Sequence, residues 1–158
     1  MNLKLKPTEC KDLPKIIEWE NHPDNSSFIG SYSLERHRQV ISDPNERHLK
    51  FVDQQNTMIG YAILAGFNHP HHFIELRRIV IAPKGKGYGR QAFKLLKKHC
   101  FEKTDCHRLW LDVYDFNKRA RKLYRSEGFN EDGILEQPPN RLIIMSLIEK
   151  NYDRWAKL

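Results

Sequence analysis

The sequence predicts an α/β fold: a mixed sheet with helices on both faces. Three observations predict it. Apolar-rich runs of strand length alternate with segments whose apolar residues recur at three and four. The stretch from 73 to 113 reads strand–helix–strand, which makes its two strands parallel. A hairpin pattern stands just before it and adds antiparallel pairs to the same sheet.

The elements follow in order. "NLKLK" (2–6) alternates apolar and basic residues as a short strand that Pro7 ends. "KDLPKIIEWE" has Leu13, Ile16 and Ile17 at helical recurrence, with Asp12 as the expected cap and Pro14 tolerated in the first turn. "HPDNSSFIGSYS" is a turn-rich connector, and Ser33 caps a second short helix, "SLERHRQVI", with Arg36 where a capping box has an acid. "HLKFVDQQNTMIGYAILAGF" is a hairpin about the polar turn Asp53–Thr57. "HHFIELRRIVIAP" is a long strand stopped by Pro83. Beyond it Ala92, Phe93, Leu96 and Cys100 form the apolar face of a helix, with Lys94, Lys97 and Lys98 opposite. "HRLWLDVY" is a strand, "NKRARKLYRSEG" a helix capped by Asn117 and stopped at Gly128, and "RLIIMSLIEK" a final strand before a polar tail.

At 158 residues, with 39% hydrophobic and 30% charged, the chain reads as one domain (1–158) that can bury a core without staples. It has no apolar run long enough to span a membrane, and "MNLKLKPTEC" is too polar for a signal peptide. Cys10, Cys100 and Cys106 are odd in number and not spaced as metal ligands, so a reduced, cytoplasmic protein is expected. Twenty-seven basic against twenty acidic residues, a net charge of +7, favour a polyanionic partner. The basic residues lack the interleaved aromatics that stack bases, which argues against nucleic acid. His69, His71 and His72 around Pro70 read as a solvated loop, and no metal is expected.

Three of only eight glycines fall at Gly85, Gly87 and Gly89, where a helix begins. Amides at a helix start have no internal partner, and glycines let an anion come close to them. Lys84, Lys86 and Arg90 add charge, so the turn reads as a pyrophosphate cradle. A P-loop needs Gly-Lys-Ser/Thr, but Arg90 and Gln91 follow Gly89. A dinucleotide site wants another glycine spacing, although Asp112 stands where its acid would be. Downstream, Asn117 and Tyr124 lie seven residues apart on nearly one helix face, with small Ala120 between them.

Together these motifs resemble the GCN5-related N-acetyltransferase (GNAT) superfamily, in its ribosomal-protein and small-amine branch. Lys84 to Gly89 match the family's Q/R-x-x-G-x-G/A turn with Lys in first place. Asn117, Arg119, Ala120, Leu123, Tyr124, Gly128 and Phe129 match N-x-R-A-x-x-L-Y-x-x-x-G-F. The resemblance implies a mostly antiparallel sheet of six to seven strands with about four helices, whose central parallel strands splay to admit acetyl-CoA. Its pantetheine arm would pair with Ile79, Val80 and Ile81. Its pyrophosphate would sit on Lys86, Gly87, Tyr88, Gly89 and Arg90, with Lys84, Gly85, Asn117 and Tyr124 completing the cofactor site.

Tyr124 matches the family's acid for the leaving thiolate. The family does not fix the base. Glu75 is the candidate, on the face of Arg77, Ile79 and Ile81 provided no bulge intervenes; a salt bridge to Arg77 or Arg78 would make it structural. Trp110, Phe93 and Leu96 read as core, while Trp19, Phe28 and Tyr32 either line an acceptor pocket or pack. The acceptor is a small amine or a protein N-terminus, and a homodimer stays open. A CoA-binding regulator that has lost catalysis is the alternative function.

Overall fold

The computed structural model describes residues 2–156. Its strands are β1 (Lys4–Pro7), β2 (Glu46–Val52), β3 (Met58–Ala65), β4 (Phe73–Ile81), β5 (Arg108–Tyr114), β6 (Asn130–Gln137) and β7 (Asn140–Ile148). Its helices are α1 (Leu13–Asn21), α2 (Pro23–Ser26), α3 (Leu34–Ser42), α4 (Tyr88–Lys103), α5 (Lys118–Ser126) and α6 (Glu149–Ala156), with a 3-10 turn at Cys10–Asp12. The strands form one seven-stranded sheet in the order β1-β2-β3-β4-β5-β7-β6. Every pair is antiparallel except β4 with β5, joined by the crossover helix α4 as the strand–helix–strand pattern requires.

Two cores hold the helices to the sheet. On one face Phe93, Leu96 and Cys100 of α4, all fully buried, pack with Leu109 and Leu111 of β5, Met145 of β7 and Tyr124 of α5. On the other, Leu13 and Ile16 of α1 and Val40 of α3 pack on Tyr61, Ile63 and Val80. Each such side chain contributes roughly 1.5–3 kcal/mol over its exposed state.

A one-residue irregularity decides where the site forms. Ile63 pairs with Arg78 but Leu64 pairs with Leu76, so Arg77 is an extra residue in β4. Such a bulge twists and bends its strand. Pairing with β5 ends at the same place: Phe73, Ile74 and Glu75 face Arg108, Leu109 and Trp110, and no pair follows. Beyond Glu75, β4 stays paired to β3 as far as Ile81, and β5 to β7 as far as Tyr114. The two strands therefore diverge in a V whose inner edges carry unpaired backbone groups.

Several local expectations change. Asp12 does not cap α1; its carboxylate accepts from the Glu9 amide and from Lys50 Nζ, both at 2.8 Å, and the 3-10 turn leads into the helix instead. Ser33 does cap α3, accepting from the Arg36 amide at 3.0 Å. Arg36, in the acid's place, turns to Glu46 at 2.7 Å. The polar tail is helical: α6 lays Tyr152 on Phe101, with ring centroids 4.8 Å apart. Among the described residues no helix is long and apolar enough to cross a membrane.

Candidate active site

The V opens into a cleft of about 1180 Å³, at the large end for small-molecule sites. Its walls are β4 from Leu76 to Ile81, β5 from Leu111 to Tyr114, the turn into α4, and α5. The turn explains the glycines. Gly87 is the residue before α4, at φ 79°, a left-handed conformation that disfavours any side chain. Gly89 differs: it has no positive φ, and a Cβ there would meet no atom within 4 Å. The fold makes no demand for glycine at 89, and the open space beside the amides of the first turn is what a phosphate group would fill.

The predicted cofactor residues Ile79, Val80, Ile81, Lys84, Gly85, Gly87, Tyr88, Gly89, Arg90, Asn117 and Tyr124 all line this cleft; Lys86 is exposed outside the lining. Three of them are already engaged, namely Arg90, Asn117 and, with Asn25, Lys84. Arg90 donates to Ser126 Oγ at 2.9 Å and pairs with Glu127 at 2.7 Å. Asn117 caps α5, its Oδ1 accepting from the Ala120 amide at 3.3 Å. Glu127 is buried, which alone would raise its pKa, but Lys97 and Lys94 outweigh that and hold it low. This cluster ties the start of α4 to the end of α5, and so sets the glycine turn relative to Tyr124.

Tyr124 packs its ring on Phe93 at 4.9 Å, and its hydroxyl makes no hydrogen bond among the described residues. Burial pushes its pKa up to about 12, so the phenol keeps its proton at any working pH.

Glu75 is placed differently from expectation. Ile74 and Leu76 pack in the α4 core, and so do Ile79 and Ile81, although the spacing is odd; the bulge at Arg77 accounts for the change of parity. Glu75 therefore shares a face with Arg78 and Val80, not with Ile79 and Ile81. It lies outside the cleft lining, and Arg77 holds it at 2.9 Å.

The strand carboxylate that does line the V is Asp112, two residues past the last position at which β5 pairs with β4 and on the face opposite Leu111 and Val113. At about 3.3 Å per residue it stands level with Arg77, just inside the point of divergence. It accepts no hydrogen bond from a described residue. Displacement of water by the cleft walls raises its pKa, against a partial pull from Arg77. The sequence singled out Asp112 only for a dinucleotide site. Its place five residues before Asn117 on an alternating strand was the available signal.

On Asp112's face a segment from α2 to α3 crosses the V. Lys84 Nζ donates to Asn25 Oδ1 at 2.7 Å. Arg78 donates to the Gly30 carbonyl, and Phe28 meets Phe116 at 6.0 Å. Arg78 is itself fixed by buried Glu20 at 2.9 Å and lies over the Tyr32 ring at 3.9 Å. Behind it, His37 links Glu20 to His48 at 3.0 Å each. Phe28 thus lines the cleft, whereas Trp19 and Tyr32 pack on the second core. Trp110 is only part-buried, while Phe93 and Leu96 are core. Among the described residues no group of three metal-ligating side chains forms, the histidines at 69, 71 and 72 included.

Residues 13–129 match the model of the Acetyltransferase (GNAT) family. The chain belongs to that family. Among curated relatives it is 33% identical to the spermidine N(1)-acetyltransferase of Vibrio cholerae, over 84% of this chain and 82% of that one. It is 31% identical to the spermine/spermidine N(1)-acetyltransferase of Bacillus subtilis, over 93% of this chain and all of that one. A crystal structure of spermidine N-acetyltransferase from Vibrio cholerae in complex with CoA and spermine superposes with a TM-score of 0.84, at 27% identity, over 95% of this GNAT chain and 97% of that one. The fold is the GNAT fold, and acetyl-CoA is the donor substrate.

Proposed function

We propose that the protein transfers the acetyl group of acetyl-CoA to a primary amine by direct attack, with Tyr124 as general acid and Asp112 as general base. The observation that carries this reading is the V itself, which brings an unbonded phenol from the α4–α5 side and an unbonded carboxylate from the other side to one cleft. The unpaired β4 edge from Ile79 to Ile81 holds the pantetheine arm. The α4 turn holds the pyrophosphate.

A free alkyl amine is an ammonium near neutrality, with a reference pKa of about 10.4. Asp112 takes one proton from it and passes it to solvent. The freed nitrogen attacks the thioester carbonyl carbon, and an unpaired N–H of β4 stabilises the oxyanion. The C–S bond then breaks, the Tyr124 hydroxyl protonates the departing thiolate, and the second nitrogen proton restores the phenol. The products are the N-acetyl amine, the free thiol and one proton.

No cysteine lines the cleft among the described residues, and burial pushes the Cys106 thiol up to about 12 and raises that of Cys100, which argues against an acetyl-enzyme. The names of the relatives make spermidine the reference acceptor. The test is thiol release from acetyl-CoA across a panel of primary amines, with the acetylated product weighed by mass spectrometry. One thiol per N-acetyl product is expected. Tight acetyl-CoA binding with no release for any amine would favour the regulator instead.

A further inference from the structure

The acceptor side of the cleft carries a chemistry of its own. Resting on the transferase reading above, we propose that the preferred acceptor is a monoamine bearing an aromatic or similarly flat apolar ring. The ammonium would sit at Asp112 and the ring against Phe28, Tyr114 and Phe116.

The first observation is charge. Among the described residues, three carboxylates near Asp112's face are already neutralised. Glu20 is bound by Arg78 at 2.9 Å, Glu46 by Arg36 at 2.7 Å and Arg77 at 2.9 Å, and Glu75 by Arg77 at 2.9 Å. Those arginines hold the acids so closely that an incoming ammonium would have to displace a guanidinium from a buried or half-buried pair, at a large cost. Asp112 is left to receive one cation. The second acid of the lining, Asp24 of α2, has His22 Nδ1 at 3.7 Å and Lys84 as a charge neighbour. A polycation's further ammonium groups would meet only these mutually neutralised pairs on that face, with no free charge to offset their loss of water.

The second observation is apolar. Phe28 and Phe116 are 44% and 49% exposed, yet they are not scattered surface residues. Phe28 meets Phe116 at 6.0 Å, and Phe116 stacks on Tyr114 at 5.0 Å with an interplanar angle of 10°. Tyr114 and Asp112 are two apart on β5 and so project from the same face. The aromatic rim thus begins one side chain from the carboxylate, the spacing of an amine from a ring on a short linker. An aromatic ring placed there gains both buried area and ring–ring geometry.

The experiment compares kcat/KM for 2-phenylethylamine, n-propylamine and spermidine in the intact protein, with acetyl-CoA affinity measured separately by calorimetry. 2-Phenylethylamine is expected to exceed both others, and n-propylamine by roughly tenfold, the worth of one aromatic contact set. In Phe28→Ala and in Phe116→Ala the phenylethylamine-to-propylamine ratio should fall towards one. Spermidine turned over ahead of 2-phenylethylamine, or a ratio unmoved in both variants, would overturn this proposal and leave the transferase reading standing. Turnover of no amine with acetyl-CoA binding intact would overturn both.

Discussion

Tyr124→Phe is expected to lower kcat on the order of 10²-fold or more while leaving the acetyl-CoA KM nearly unchanged. The substitution keeps the ring that packs on Phe93 and Phe129, so the fold and the α5 wall of the cleft should persist. What is lost is a hydroxyl on the α5 wall of the cleft that has no hydrogen-bond partner among the described residues. Because burial holds that phenol's pKa up at about 12, the wild-type enzyme should show no alkaline loss from this group below pH 10 or so. An acetyl thioester of a more acidic thiol needs less help to leave, so it should recover part of the lost rate. Steady-state kinetics with the two donors measures both. Retained kcat with acetyl-CoA at every pH would assign the proton to water.

Asp112→Asn is expected to lower kcat/KM by roughly 10²-fold near neutrality, and the deficit should shrink as pH rises. A base works only when ionised, so its service is lost as pH falls through its pKa. Asp112 has a pKa raised by the cleft walls, so the acid limb of the wild-type profile should lie above the ordinary aspartate range. In the variant the limb should move up towards deprotonation of the free amine, whose reference pKa is about 10.4. Glu75→Gln is the contrast. Glu75 is paired with Arg77 outside the cleft, so its loss should be smaller and equal at low and high pH. A large, pH-rescued defect in Glu75→Gln beside a neutral Asp112→Asn would return the base to β4.

The contrast between these two carboxylates marks what a sequence can carry. The glycine turn and the Asn117–Tyr124 helix were legible because each is local: a few residues fix a helix start, a cap and a face. The parallel pair followed from crossover topology. The bulge at Arg77 was not legible, because one extra residue in a strand is set by the register against β3, and β4 alternates plausibly without it. That single residue moves Glu75 to the other face and opens the V that Asp112 lines. Strand β6 escaped for a different reason: nearly all of "NEDGILEQ" is exposed, so it has no inside face to give a period of two. Backbone pairing along β7 makes it a strand. Helix α6 is short and polar, and it docks through Tyr152, an anchor that periodicity cannot flag.

The central claim is that the divergence of β4 from β5 exists to hold the acetyl donor. Amide hydrogen exchange with and without acetyl-CoA tests it most directly, because unpaired strand edges exchange quickly until something bonds them. Saturating acetyl-CoA should slow amides of the cleft edge between Leu76 and Ile81, and those of Tyr88, Gly89 and Arg90 at the start of α4. Amides of Phe73–Glu75, where β4 is already paired on both sides, should change little. Bound acetyl-CoA that leaves the 76–81 and 88–90 amides unprotected would contradict the account.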